Sequence, residues 1–353
     1  MLLPTFKRPA LLKRAIDSVR RQTLPDFSLL ISDNGDDDET RGICERAVAE
    51  DPRIQYTRNE RNLGAVGNIQ KLIGSVVTSH YCILSDDDFL FPNFLEDAMD
   101  AFRESPHLGF SCSPVLFVDA RRRRLERRNQ DWRPGFHAPS LDSVHQMMRS
   151  HFTSTGVVFR RDIIDVLGGF HDFGDDRLFL TLVASIWPFH VTERMGAVFV
   201  VTEMSFSGQG GIGRQTSLPT LCDSLAANLS RIAQHVSSEF RSEVSSIFIS
   251  TYVEYLRQRL RATGGQHAED RGIARQFKSL EPAASWKTVR RAIREIPRLS
   301  ARSVLQLATL NPAATSTRDE PIDDCMWAYL QGDVSQREPF LRAAAERFTS
   351  SSR

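Results

Sequence analysis

Three adjacent aspartates, Asp86, Asp87 and Asp88, are the residues whose type and spacing most directly indicate chemistry. They follow Ser85 and the apolar run at residues 81–84, which is typical of a buried strand. Adjacent carboxylates repel one another unless solvent or a cation compensates their charge, and Mg²⁺ or Mn²⁺ bound by oxygen ligands can bridge to a diphosphate. The alternative interpretation is an acidic N-terminus for the helix that begins near Pro92.

A second acidic run, at residues 32–40, also follows an apolar stretch and has Asp33 at the expected strand end. A carboxylate in that position can accept a hydrogen bond from an N–H group of a nucleobase. Asn34 and Gly35 are together a strong turn signal, so a turn without a binding role is the alternative.

These acidic residues belong to an ordered set of motifs that resembles glycosyltransferase family 2. The set comprises P-T-F-K-R-P at residues 4–9, Asp33 with Asn34, N-L-G at residues 62–64 and the aspartates at 86–88. The resemblance covers about residues 1–105 and implies an inverting nucleotide-sugar glycosyltransferase with the GT-A fold. It also implies the following donor-binding residues: Pro4, Thr5, Phe6, Arg8, Asp33, Asn62, Gly64, Asn68 and Asp86.

The resemblance further implies a divalent cation, Mn²⁺ or Mg²⁺, at the acidic cluster. Asp33 is then expected on the base, Asp86 near the ribose, and the cation on Asp87 or Asp88. Many family members have an aspartate two residues before the metal ligand. Here Ser85 stands there when one counts back from Pro92, so the choice between the two ligands stays open.

A candidate catalytic base lies in the run G-G-F-H-D-F-G-D-D-R-L-F-L at residues 168–180. In the family, an acidic residue that opens a helix here accepts the acceptor's proton. Asp175 matches that position best and Asp176 is second. The preceding residues 151–164 resemble the strand and helix before the acceptor site. An acidic first turn without a catalytic role is the alternative for both aspartates.

A single base without a second nucleophilic carboxylate implies inversion at the anomeric carbon. We therefore expect transfer from a nucleoside-diphosphate sugar, with UDP as the family's commonest carrier, to a glycan or lipid-linked acceptor in cell-envelope polysaccharide or glycolipid assembly. Two other functions are considered. A sugar nucleotidyltransferase needs a Gly-rich loop after the first strand, and Lys7, Arg8 and Pro9 contain no glycine. The other is a noncatalytic nucleotide-sugar binder.

Composition limits the partners and the compartment. The net charge of the 353 residues is +1, so no overall field selects nucleic acid, which we do not expect as a partner. The 5 cysteines are scattered without C-x-x-C spacing, which favours a reducing compartment. No window approaches the roughly 20 apolar residues of a membrane span. A cytoplasmic location is expected.

The elements that position these residues alternate between short apolar runs and amphipathic stretches, which predicts an α/β fold. We expect strands at 27–32, 54–57, 81–84 and 109–117, in a GT-A (Rossmann-like) mixed sheet flanked by helices. This domain is predicted over residues 1–218, with a nucleotide-sugar half at 1–105 and an acceptor half at 106–218. Only Leu2 and Leu3 precede Pro4 in the first strand, so an upstream extension is expected to add stability.

Residues 219–353 are predicted to form a helical C-terminal region, because an apolar stripe recurs every three or four residues from Leu221 to Val244. Within it, residues 286–298 form a basic amphipathic pattern that suits peripheral contact with the inner face of a membrane, a homodimer interface or packing on the core. The arginine run at 121–128 predicts a solvent-exposed hairpin tip. The glycines at 208–213 fit a mobile loop better than a dinucleotide motif.

Overall fold

The computed structural model describes residues 1–120, 123–129, 131–168, 176–202, 229–241, 243, 244, 247 and 320–349. Within them the strands are β1 (Leu2–Thr5), β2 (Leu29–Asp33), β3 (Ile54–Arg58), β4 (His80–Cys82), β5 (Phe89–Leu90), β6 (Phe110–Cys112), β7 (Val115–Asp119), β8 (Arg124–Arg128), β9 (Gly135–His137), β10 (Val157–Arg160), β11 (Phe189–Val191), β12 (Ala197–Val201) and β13 (Glu320–Pro321). The α-helices are α1 (Pro9–Arg20), α2 (Asp38–Glu50), α3 (Gly64–Gly74), α4 (Phe94–Glu104), α5 (Leu141–Arg149), α6 (Asp162–Leu167), α7 (Asp176–Ile186), α8 (Asp324–Leu330) and α9 (Arg337–Thr349).

The central sheet confirms the predicted α/β class. Strands β1, β2 and β3 pair in parallel, and Leu2 forms a parallel bridge to Ile83, just beyond β4. From β4 the sheet continues in the order β10, β6, β11, β9, with β10 antiparallel to its neighbours. The chain thus leaves β1 toward β2 and later returns to β1's other side at β4. Ligands of open α/β sheets bind at such a reversal, outside the carboxyl ends of the strands.

Helices cover both faces of this sheet. The apolar sides of α1, α2 and α4 share one buried cluster, to which α1 contributes Leu12, Ile16 and Val19. Helices α3, α5, α6 and α7 bury their apolar sides in a second cluster on the other face. Since α1 follows β1 directly, the loop between them lies at the reversal point and carries residues 6–8 there.

The predicted single strand at residues 109–117 is wrong: the run forms two strands, β6 and β7, which belong to different sheets. Strand β7 lies in a second five-stranded sheet with the order β13, β8, β7, β12, β5. The break falls at Ser113 and Pro114, and proline has no N–H to donate to a sheet. Strands β7 and β8 form an antiparallel hairpin with exposed Arg123 beside its tip. Arg127 and Arg128 of the predicted run are half-buried in β8, and Arg121 and Arg122 lie outside the described residues.

The C-terminal segment, residues 320–349, packs against this second sheet. Strand β13 pairs with β8, and Met326, Tyr329 and Phe340 from α8 and α9 are buried with Phe89 of β5. The aromatic rings of Phe340 and Phe89 meet edge to face, with centroids 5.2 Å apart. Leu116, Val118 and Leu125 of the β7–β8 hairpin therefore share one core with α8 and α9.

Other predictions for residues 219–353 divide between described and undescribed parts. Leu229, Ile232 and Val244 of the apolar stripe are buried in the cluster that contains α7, whereas Leu221 and Leu225 lie outside the described residues. The basic segment 286–298 and the glycines at 208–213 also lie outside them. Among the helices that are described, none has the length and apolar character to span a bilayer.

Gly196 precedes β12 at a close approach of three segments, so we expect Gly196→Ala to destabilise the fold. A Cβ there lies 2.7 Å from the Phe94 ring and 2.8 Å from Ser113 Cβ. The expected loss in free energy of unfolding is about 1–3 kcal/mol, measured by urea denaturation. Gly74→Ala is the control, because no atom lies within 4 Å of its added Cβ; equal stability of the two variants contradicts this packing.

Candidate active site

The three aspartates form a tight turn beyond β4, at the point where the strand order reverses. The Asp88 N–H donates to the Ser85 carbonyl oxygen at 3.1 Å, which closes the turn. All three residues are buried, with exposed fractions of 6% for Asp86, 7% for Asp87 and 0% for Asp88. Their charges therefore have to be compensated from within the protein or by a bound ligand.

Asp86 accepts hydrogen bonds from three residues of the P-T-F-K-R-P run. Its Oδ2 accepts from Thr5 Oγ1 at 2.8 Å and from the Phe6 N–H at 3.3 Å, and its Oδ1 lies 3.1 Å from Arg8 Nη1. Burial, followed by the charge of Asp87, raises the pKa of Asp86 to about 6, against the opposing effects of these partners. The carboxylate thereby ties β1 to the end of β4.

Asp87 shares Arg8 with Asp86 through an ion pair of 3.0 Å between Nη1 and Oδ2. Its backbone carbonyl accepts a hydrogen bond from Arg14 Nη2. Arg14 is fully buried in α1, with its guanidinium 4.8 Å from the centre of the Phe89 ring, and its Nη1 donates to the Leu330 carbonyl of α8. Burial raises the pKa of Asp87 and lowers that of Arg14.

Asp88 faces the interior. Its Oδ2 accepts from Thr155 Oγ1 and its Oδ1 from the Val200 N–H at 2.8 Å. Burial, and then the charge of Asp87, raise the pKa of Asp88 well above its ordinary value. Both oxygens are thus engaged within the protein, where they join the turn to β12 and to the 3-10 turn Ser154–Gly156 that precedes β10.

Asp176, the second candidate for the catalytic base, lies close to the contact between Asp88 and Thr155. Asp176 opens α7, and its Oδ2 accepts from the Ser154 N–H at 2.8 Å. Thr155, which follows Ser154 in the chain, donates its hydroxyl to Asp88 Oδ2. Asp176 and the aspartate turn are therefore connected through two hydrogen bonds and one dipeptide. Asp175 lies outside the described residues.

Asp33 ends β2 and is fully buried. Its Oδ1 accepts from the Gly35 N–H at 2.8 Å and its Oδ2 from the Tyr56 hydroxyl at 3.0 Å. Burial, and then Asp33, raise the pKa of Tyr56, so the hydroxyl stays protonated as a donor. The turn expected from Asn34 and Gly35 is present, and it encloses the aspartate.

The N-L-G motif is held against β2 by asparagine side chains. Asn34 Nδ2 donates to Asn62 Oδ1 at 2.7 Å, and Asn62 Oδ1 also accepts from the Gly64 N–H at 2.8 Å. Gly64 has φ of 72°, a left-handed conformation that suits glycine. Asn68 is buried, accepts from Ser32 Oγ at 2.6 Å and donates to the Ser32 carbonyl at 2.9 Å.

Exposed apolar side chains lie around these strand ends. Phe6, Leu63 and Val66 have exposed fractions of 43%, 37% and 45%. Pro4 lies within β1, paired with Ser32 of β2. The structure therefore brings the predicted residues from the first three motifs to the carboxyl ends of β1 and β2, beside the aspartate turn beyond β4.

The fit of Mn²⁺ or Mg²⁺ can be judged from these oxygen atoms. Asp86 and Asp87 carry two carboxylates but share the one guanidinium of Arg8, and burial is the main cause that raises the pKa of both. Hard carboxylate oxygens fit such a cation, with phosphate oxygens as further ligands. Within the described residues, no three His, Cys, Asp or Glu side chains are grouped to hold a metal ion by themselves.

Several residues at this site escaped sequence reasoning. Arg14 and Thr155 are the main ones, with Tyr56 beneath Asp33. An arginine in an amphipathic helix is normally expected to face water, and nothing in the local pattern of α1 marks Arg14 as buried. Thr155 does lie in the run 151–164, which predicts a strand and helix before the acceptor site, and β10 and α6 confirm both.

Comparison with known proteins agrees with this geometry. Residues 1–168 match the family model described as Glycosyl transferase family 2. The crystal structure of S. aureus TarS 1–349 in complex with UDP-GlcNAc aligns with this chain with a TM-score of 0.64. The two chains are 13% identical, and the alignment covers 87% of this chain and 90% of that chain. The fold is accordingly the GT-A fold, and residues 1–168 are similar to glycosyl transferase family 2.

Two relatives match over shorter stretches. The GalNAc(5)-diNAcBac-PP-undecaprenol beta-1,3-glucosyltransferase of Campylobacter jejuni is 30% identical over 114 residues, which is 32% of this chain and 37% of that protein. The chondroitin synthase of Escherichia coli is 28% identical over 111 residues, which is 31% of this chain and 16% of that protein. The chain thus spans well under half the length of each of these relatives.

The raised pKa of Asp86 predicts a pH-dependent stability. Because the folded chain keeps this proton up to a pH of about 6 and the unfolded chain releases it near 3.8, the free energy of unfolding should fall as the pH rises through this window. Asp86→Asn should remove on the order of 1–3 kcal/mol of that fall, measured by urea denaturation between pH 4 and 7.

The control for this measurement is Asp36→Asn, because Asp36 forms only an exposed ion pair with Lys7 at 2.6 Å. It should keep the slope of the unmodified protein. A slope that is unchanged by Asp86→Asn contradicts the assigned desolvation of that carboxyl group.

Proposed function

We propose that this protein is an inverting glycosyltransferase that moves a sugar from a nucleoside-diphosphate sugar to an acceptor hydroxyl. The observation that carries the proposal is the connection from the aspartate turn through Thr155 and Ser154 to Asp176. It supports the assignment of the acidic cluster to the donor and of the Asp176 carboxylate to the acceptor side, because the two are joined through hydrogen bonds. Transfer needs both a group that compensates the leaving diphosphate and a base for the incoming hydroxyl.

On the donor side, Asp33 is assigned to the floor of the base pocket. It is enclosed by Tyr56 and Gly35, while the exposed ring of Phe6 offers an apolar surface for a base. Asn62, Gly64 and Asn68 hold the loop that borders this pocket. We assign Asn68 to positioning, because its side chain is 2% exposed and its amide is bonded to Ser32 and Asn59.

For the diphosphate, the proposed groups are Arg8, Asp86 and Asp87. Asp87, with Asp86 beside it, is proposed to hold Mn²⁺ or Mg²⁺, which when bound supplies positive charge toward the departing diphosphate. The interior bonds of Asp88 to Thr155 and Val200 favour Asp87 over Asp88 as the ligand. Asp88 then acts as the anchor that keeps the turn fixed to β12 and the 3-10 turn.

On the acceptor side, Asp175 is proposed as the base and Asp176 as its neighbour at the helix start. The carboxylate takes the hydroxyl proton, the hydroxyl oxygen forms a bond to the anomeric carbon, and the bond from that carbon to the diphosphate oxygen breaks. Attack opposite the leaving group inverts the configuration. The hydrogen bond from the Ser154 N–H to Asp176 fixes the first turn of α7, which Asp176 opens.

The acceptor is proposed to be a lipid-linked or cell-envelope glycan. The C. jejuni relative is named for an undecaprenol-linked substrate and the E. coli relative for chondroitin synthesis, so both names concern glycan assembly. We propose that the protein acts in the cytoplasm at the inner face of a membrane. Residues 286–298 have a composition that suits this contact or a homodimer interface.

Nucleotide binding tests the donor site. UDP is the first probe because S. aureus TarS, which shares the fold, was solved with UDP-GlcNAc. We expect UDP with Mn²⁺ to bind in titration calorimetry, and Asp87→Asn to weaken binding by about 10- to 100-fold. Asp38→Asn, on the first turn of α2, is the control and should bind as the unmodified protein does. Failure of UDP, GDP and dTDP sugars to bind contradicts the proposal.

Substitution of the two aspartates tests the base. Asp175→Asn should lower nucleotide release from the donor sugar by about 10²- to 10⁴-fold and leave UDP affinity unchanged, because only proton removal is lost. Asp176→Asn should lose far less, since an amide oxygen still accepts from Ser154 N–H. A large loss in Asp176→Asn alone would transfer the base role to Asp176; wild-type turnover in both variants would refute the mechanism.

A further inference from the structure

One buried arginine side chain joins the aspartate turn to the C-terminal segment by hydrogen bonds. Arg14 Nη2 donates to the Asp87 carbonyl, and Arg14 Nη1 donates to the Leu330 carbonyl near the end of α8. The three groups are far apart in sequence, at separations of 73 and 316 residues from Arg14. The planar guanidinium therefore joins two backbone segments that are distant in the sequence.

The surroundings of Arg14 make this connection specific. The residue has an exposed fraction of 0%, its guanidinium lies over the Phe89 ring, and Phe89 packs against Tyr329 with centroids 5.0 Å apart. A buried cation that loses a hydrogen-bond acceptor pays a large desolvation cost. Displacement of α8 therefore leaves the guanidinium without the Leu330 carbonyl and favours movement of the side chain away from Asp87.

We propose that the C-terminal segment is a working part of the donor site, with Arg14 as the positioning residue that couples its docking to the geometry of the aspartate turn. This inference rests on the proposed function for its consequence in nucleotide binding. Residues 320–349 lie beyond residues 1–168, which match the family model. The family part of the chain thus depends on a segment outside it to hold the Asp87 backbone.

Coupling of this kind acts in both directions. If docking of residues 320–349 favours the binding form of the turn, nucleotide binding at the turn must favour docking by the same factor. The segment is then a place where a change at α8 or α9 alters donor affinity without contact to the donor.

Hydrogen exchange of the full chain tests the coupling directly. Met326→Ala removes a fully buried side chain from α8, one turn before Leu330. It should speed amide exchange in residues 320–330, and also speed that of the Asp88 amide, which closes the turn, by at least about tenfold. Ile322→Ala, at the start of the same segment, should do the same and serves as the second variant.

Arg14→Lys distinguishes coupling from a general loss of stability. Lysine keeps a cation but replaces the two donor nitrogens of the guanidinium fork by one ammonium nitrogen, so it does not reproduce the two separate donations. In the Arg14→Lys background, Met326→Ala should still open residues 320–330 but should add nothing to exchange at Asp88. If it opens the turn equally in both backgrounds, the coupling does not pass through Arg14 and the proposal is wrong.

The matched control is Met147→Ala, the same change at a fully buried position of α5 in the other core cluster. It should lower stability and leave exchange at Asp88 unchanged; faster exchange there would indicate general loosening and overturn the proposal.

Binding of UDP with Mn²⁺ gives the second readout. Met326→Ala and Arg14→Lys should each weaken UDP binding, and the double variant should bind UDP no more weakly than Arg14→Lys. Absence of UDP binding by the unmodified chain counts against the proposed function, whereas the exchange experiment decides the coupling independently.

Discussion

Compensation of three adjacent carboxylates in a dry turn is the constraint on which this end of the molecule depends. Burial raises the pKa of Asp86, Asp87 and Asp88 alike, yet each has different partners. Asp88 is satisfied from the interior, whereas Asp86 and Asp87 share the guanidinium of Arg8. Two carboxylates thus share one guanidinium on the Arg8 side of the turn. That asymmetry favours a bound cation beside Asp86 and Asp87, and it gives Asp88 a structural role.

The topology explains why these partners meet. The loop after β1 and the turn after β4 are neighbours because the strand order reverses between them, and Thr5 and Arg8 therefore reach Asp86. The residues proposed to bind the donor all lie within residues 1–168, which match the family model. Asp176, Val200 and the Leu330 carbonyl come from beyond that range. The proposed site is accordingly built by the family part of the chain together with segments that its motifs do not include.

Sequence reasoning succeeded where the signal is local. Short apolar runs predicted strands close to β2 and β3, and the run of arginines predicted the β7–β8 hairpin. It failed at residues 109–117, where an apolar run was read as one strand although Pro114 marks a change of sheet. Hydrophobicity reports burial, but it does not report which sheet buries a residue.

The sequence by itself determined the acidic cluster, the order of the motifs and the alternation of elements, because these depend on residue type and on spacing within a few turns. Tertiary structure alone decided which way each carboxylate faces and that Arg14 is buried. Those outcomes depend on partners that are distant in the chain, such as Val200 for Asp88 and Leu330 for Arg14. A hydrogen bond between such positions leaves no periodic trace in a single sequence. The partner atoms are the backbone N–H of Val200 and the backbone carbonyl of Leu330, and almost every residue type carries both groups.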